Sequence, residues 1–186
     1  MNLHESINNW REPVHVRTKR SDTTYSATEA YVTANLTRLV TLYNTTKNDE
    51  QTYRLIRDDI DNALRRFHGY CIKERIGAHY MQNIIDPKNS KTYVFEHMVP
   101  NSTVREMLIA GIITPAQACN MPTCLISRED DVKLKEKGWN SKTPDPYYFW
   151  KRYEYCFPVV GKFKTWDGQA VDPQQTLEEH FEYFGI

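Results

Sequence analysis

Apolar residues recur at helical spacing in two stretches of the N-terminal half. Ser26 or Thr28 can cap the first stretch, in which Val32, Leu36, Leu39, Val40 and Tyr43 form one face. Residues 44–49 are a polar break. Tyr53, Ile56, Ile60, Ala63, Leu64 and Phe67 then make a second stripe, with Arg54, Arg57, Asp58, Asp61 and Arg65 facing away from it. The spacing predicts a helix over residues 50–67. His68-Gly69 closes it, with Gly69 in the left-handed cap position. The two helices are expected to pair as an antiparallel hairpin. Ile72, Ile76 and Tyr80 continue at helical spacing and predict a third helix over residues 71–83.

The pattern then shortens. Residues 86–90 read as a turn and 92–97 as a strand stopped by Pro100. Thr103-Val-Arg-Glu106 and Thr114-Pro-Ala-Gln117 each fit a helix-opening capping box. A short buried strand at 124–126 leads into a helix capped by Ser127 and ended by Gly138. Asp145-Pro146 caps an aromatic segment over 147–153. Residues 157–160 and 163–166 read as strands of a hairpin bent at Gly161, and Thr176 opens a last helix facing inward through Leu177, Phe181 and Phe184.

The fold class is therefore α+β: a helical N-terminal half packed on a small antiparallel sheet that carries a ββα-metal-like element. Residues 1–26 are expected to form an extended arm, with a short strand at 14–16. Residues 27–186 form one domain, divided into a helical part (27–90), a ββα-like part (91–138) and an aromatic-rich C-terminal part (139–186).

Composition narrows the function classes. Lys+Arg and Asp+Glu are both 24, so any nucleic-acid contact needs a local basic face rather than a basic chain. Arg11, Arg17, Lys19 and Arg20 give the arm such a local excess. Twelve Tyr and four Trp supply large rings with polar handles, suited to cores and to binding surfaces alike. The first ten residues are polar and no apolar run approaches the ~20 residues that span a bilayer, so neither a signal peptide nor a membrane contact is expected. Cys71, Cys119, Cys124 and Cys156 form no Cys-x-x-Cys pair. They are expected to be reduced and mostly buried in a cytoplasmic protein, of the cell or of an infected host. Cys119 and Cys124 lack the close pairing usual in a structural zinc site.

The chemistry-bearing stretch is 91–134. Cutting a phosphodiester requires a base for water, a cation on the phosphoryl oxygens and a held strand. His97 can take the proton. Glu96, Asp130 and Asp131 can supply oxygens to Mg2+ or Mn2+, provided that the strand bends near Pro100 to bring Glu96 and His97 to one side. Glu96-His97-Met98-Val99-Pro100 resembles the acid-His-x-x-Pro opening of the HNH, or ββα-metal, nucleases, and residues 124–134 resemble that motif's second strand and helix. The resemblance covers about a quarter of the chain. It implies His97 as general base, Glu96 as a metal ligand, and Asp130 or Asp131 where the family has Asn or His. It departs from the family in its insertion of about 30 residues between the halves. The middle asparagine is open between Asn101 and Asn120.

On that reading the chain is a metal-dependent endonuclease acting on nucleic acid, with Arg105, Arg128, Lys133, Lys151 and Arg152 steadying phosphates. The alternative is a non-catalytic accessory or inhibitor protein, of phage or mobile-element type, that binds another protein. Its surface would centre on residues 147–166, with Trp150 and Arg152 as anchors. The aromatic segment is also open to two readings: a core stripe of Phe149, Trp150 and Tyr153, or a platform for stacked bases.

Overall fold

The computed structural model describes residues 22–46 and 49–186, with side chains from Tyr25 onward. The expected strand at 14–16 and the basic residues of the arm lie outside the described residues. The first helix already begins inside the stretch expected as arm: α1 spans Asp22–Thr46. Asp49 accepts from the backbone N–H of Gln51 and Thr52 and opens α2, Glu50–Glu74. The two helices pack antiparallel, with ring contacts Tyr25–Phe67 at 6.0 Å and Tyr43–Tyr53 at 5.6 Å near either end.

α2 does not stop at Gly69. Phe67, His68 and Cys71 extend the buried stripe of Ile56, Ile60 and Leu64 by another turn. A glycine within a helix costs only about 1 kcal/mol against alanine, and packing of this stripe outweighs it. The left-handed cap falls instead on Arg75, at φ 55°. The helix expected over 71–83 is thus the end of α2 followed by strand β1, His79–Gln82, all four residues of which are buried.

The remaining elements are β2 (Tyr93–His97), α3 (Asn101–Ile109), α4 (Pro115–Cys119), β3 (Thr123–Ser127), α5 (Arg128–Glu136), α6 (Lys151–Glu154), β4 (Phe163–Thr165) and α7 (Leu177–Phe184). The expected box at Thr114–Gln117 closes reciprocally, and the last helix opens at Thr176 as expected, with a reciprocal box to Glu179. The box expected at Thr103 does not close: α3 starts three residues earlier with Pro100 as its cap, and Pro100 O accepts from Thr103 N and Val104 N.

The protein is mixed α+β, as expected, but its sheet is mixed rather than antiparallel. Strand order is β2-β3-β1-β4, with β1 and β3 parallel and the two edges antiparallel to their neighbours. A parallel pair needs a long crossover, and β2, α3 and α4 together supply it. The expected hairpin of 157–160 with 163–166 is absent, because β4 pairs with β1 instead. Pro158 would remove a ladder donor from the other strand.

Strand alternation sorts side chains to two faces. Tyr80, Cys124, Ile126 and Phe163 join Phe149, Trp150, Tyr153 and Leu134 in the main core. On the other face Met81 and Leu125 pack with Phe95, Ile72 and Trp166. The aromatic segment therefore holds the core stripe: Phe149, Trp150 and Tyr153 are no more than 1% exposed. Replacing Trp150 with Ala is expected to cost about 3–5 kcal/mol of folding stability. Urea unfolding followed by circular dichroism checks this, and a loss below 1 kcal/mol would contradict the packing.

Candidate functional site

Glu96 and His97 are adjacent on β2 and pair in regular register with Cys124 and Thr123 of β3. The strand does not bend at its end, so the two side chains leave on opposite faces. Pro100 acts later, as the cap of α3.

Glu96 faces the main core. Its carboxylate lies 2.5 Å from Nη2 of Arg152, which is wholly buried on α6. Nη1 of the same guanidinium donates to the carbonyls of His97 at 2.9 Å and Met98 at 3.3 Å. Arg152 is thus neither a phosphate contact nor an interface anchor, and Trp150 beside it is core as well. Burial raises the Glu96 pKa, and Arg152 pulls against it; Asp131 adds to the rise and Lys135 opposes it.

His97 faces the other way, onto α2. Its Nε2 is 3.1 Å from Nδ1 of His68, whose own Nε2 is 3.0 Å from Cys119 O. A carbonyl only accepts, so His68 carries its proton on Nε2 and accepts at Nδ1. His97 must then donate from Nε2, leaving Nδ1 as its basic nitrogen. His79 continues this polar row across the sheet. Its Nδ1 meets Thr123 Oγ1, and its buried Nε2 has no hydrogen-bond partner among the described residues. Gly77 makes room for that ring, since a Cβ there would sit 3.3 Å from Nε2. On the main-core side His180 donates from Nε2 to Asn120 O at 2.8 Å, and its Nδ1 lies 2.7 Å from the Tyr80 hydroxyl.

All four imidazoles are held neutral. Burial lowers His68 and His180 to about 4 and His79 to about 3. Burial, then the neighbouring His68 and Arg65, brings His97 to about 2. A general base works best with a pKa near the operating pH; His97 in this setting is a poor proton acceptor.

The aspartates at the start of α5 are also committed. Asp130 accepts from Gln82 Nε2 at 2.6 Å, Lys162 Nζ at 2.6 Å and Lys133 Nζ at 3.1 Å. Burial raises its pKa, but these donors together lower it below the ordinary value. Asp131 pairs with Lys135 at 2.7 Å. Glu96, Asp130 and Asp131 lie toward one side of the sheet and His97 toward the other. Among the described residues no three His, Cys, Asp or Glu side chains stand together as a metal-holding group. A hard cation needs several converging oxygens, and these oxygens already bind lysine or arginine. The arrangement does not fit a cation shared by His97 and the carboxylates, and a ββα-metal element is not shown among the described residues.

The other residues expected at phosphates are mostly engaged within the fold. Arg105 pairs with Asp61 and Glu106 and is 8% exposed. Arg128 donates to Lys91 O at 2.6 Å, and Lys133 holds Glu129 and Asp130. Lys151 lies 4.2 Å over the Tyr148 ring and 3.8 Å from Asp145. All four cysteines are free thiols, with Cys71, Cys119 and Cys124 buried and Cys156 half-buried. Burial pushes Cys119 up to about 12, so its thiolate is scarce. Sequence reasoning missed the partnership of His68 with His97. The signal was present: His68 lies four residues after Leu64 and three before Cys71 on the buried stripe of α2.

No protein-family model, curated protein or solved structure matches this chain.

Two outcomes follow from the buried polar groups. Removing one partner of a buried ion pair costs about 3–5 kcal/mol. Arg152→Met should lose about that much stability, and adding Glu96→Gln should recover part of it; equal losses in single and double variants would contradict the pairing. The histidines make the protein acid-labile. Their folded values lie below the ordinary 6.5, so their contribution is complete above pH 6.5. It is lost as pH falls toward about 4, where the unfolded chain takes up protons that the folded chain excludes. Glu96 and Asp61, both raised by burial, act in the opposite sense nearer the carboxylate range. Thermal midpoints at pH 8, 6 and 5 should fall in that order, and a flat profile would contradict the neutral imidazoles.

Proposed function

We propose that this chain is a non-catalytic accessory protein that acts by binding another protein. One observation carries the reading: the aromatic segment before and through α6 has two chemically similar faces, of which only one is used by the core. Phe149, Trp150 and Tyr153 are buried, whereas Tyr148 is 43% and Tyr155 57% exposed. Tyr148, Lys151 and Tyr155 follow at one-turn spacing through α6 and the turns on either side of it, with Lys151 N bonded to Tyr148 O and Tyr155 N to Lys151 O. Half-buried Trp139 stacks on Tyr155 at 5.6 Å and 24°, and exposed Tyr147 adjoins at the other end.

Tyrosine and tryptophan on rigid backing are the usual anchors of protein interfaces, because they bury large area at small entropic cost. The core stripe directly beneath supplies that backing. The interaction surface is therefore assigned to Tyr148, Tyr155 and Trp139.

The nuclease reading rests on the resemblance and on the chain order β2, β3, α5. It requires Glu96 to leave Arg152 and His97 to leave His68 before either meets a cation. Two measurements separate the readings. Purified protein should leave plasmid DNA intact in Mg2+ and Mn2+; cleavage that is lost on His97→Ala would overturn the proposal. A partner recovered with the unaltered chain should be lost with the Tyr148→Ala/Tyr155→Ala double variant at an unchanged thermal midpoint. Equal recovery by that variant would also overturn it.

A further inference from the structure

A groove of about 520 Å³ runs along the α1–α2 pair and is lined by residues of these two helices. Leu39 and Phe67 form its apolar floor, and Tyr31 and Tyr70 stand at its walls. Tyr31 is 74% exposed, although the opposite side of α1 buries Leu36 completely. Arg38 and Arg66 also line it, one from each helix, with Asp59 as the lone carboxylate among the described residues there.

These two arginines differ from most others in the fold. Arg54, Arg57, Arg105 and Arg152 are all ion-paired. Arg38 donates only to the Asn35 amide at 3.1 Å, and Arg66 has no hydrogen bond or ion pair among the described residues. The groove thus combines guanidinium groups that have no ion pair among the described residues with aromatic rings on an apolar floor. The ring contacts between the helices set Arg66 level with the start of α1. Arg38 is then roughly twelve residues, or about 18 Å, further along the axis. That separation exceeds the spacing of neighbouring phosphates on one strand.

We infer that the α1–α2 groove binds a short stretch of single-stranded nucleic acid, with bases stacked on Tyr31 and Tyr70 and separate phosphates on Arg38 and Arg66. Stacking on an aromatic ring tolerates any base, and guanidinium contacts to the backbone carry no sequence information. Binding is therefore sequence-tolerant and weakened by salt. An acidic peptide would answer the charge but leave the rings unused.

The test is fluorescence anisotropy of a labelled twelve-nucleotide oligothymidylate with the full chain at low salt. Arg38→Ala/Arg66→Ala should weaken binding at least about tenfold and flatten the log-affinity against log-salt slope by about 1.4, at ~0.7 per phosphate contact. Tyr31→Ala should weaken it by about tenfold, the loss of one stacked base. All three positions face solvent, so thermal midpoints should hold. Tyr148→Ala, on the other surface, should bind like the unaltered chain, which keeps this outcome separate from the protein-binding proposal. No binding by the unaltered chain, affinity unmoved by the double variant, or equal displacement by an oligoglutamate peptide would each overturn the inference.

Discussion

The Arg152 guanidinium is the interaction on which the rest of the arrangement depends. It has no exposed surface, yet carries a charge that is costly to desolvate. Glu96 compensates that charge, and the carbonyls of His97 and Met98 take two of its remaining donors. One side chain from α6 thereby holds the end of edge strand β2. It also turns Glu96 inward, which on a regular strand sends His97 to the opposite face. The separation of the acid from the histidine is a direct consequence of this pair.

His97 then enters a different polar system, built with α2 rather than with the carboxylates. The row His97–Thr123–His79 crosses the sheet in register, and His68 covers it from the helix. The proton assignments of His68 and His97 follow outward from Cys119 O, which can only accept. The result is a set of neutral imidazoles used as directional hydrogen-bonding groups, joining the N-terminal hairpin to the sheet. Their low basicity is the price of that burial. At the far side of α5, Asp130 performs a similar joining role through Gln82 and Lys162, so its first-turn acidity serves the helix N-terminus and the sheet edge.

With these polar groups turned inward, the outward chemistry lies elsewhere. Aromatic rings remain accessible on the outer face of the α6 region, and aromatic rings with arginines that have no ion pair among the described residues remain along α1–α2. Both places are backed by dense core, Phe149 and Trp150 beneath one and Leu39 and Phe67 beneath the other. Rigid support of this kind reduces the entropy lost when a partner docks.

The sequence by itself determined the features that depend on near neighbours. The stripes of α1 and α2, the capping box at Thr114, the helix start at Thr176, the Ser127 cap and the strand ending at His97 all follow from residues within a few positions of one another. The core placement of Phe149, Trp150 and Tyr153 followed from the same helical spacing. Tertiary structure alone decided the continuation of α2 through Gly69, the parallel pairing of β1 with β3, and the partners of Glu96, His97 and Asp130. Gly69 is overridden because His68 and Cys71 find core to pack against, which local propensity does not encode. Glu96 meets Arg152 across 56 positions and His97 meets His68 across 29. An acid next to a histidine specifies two side chains, but not the faces to which strand pairing sends them or the charges waiting there.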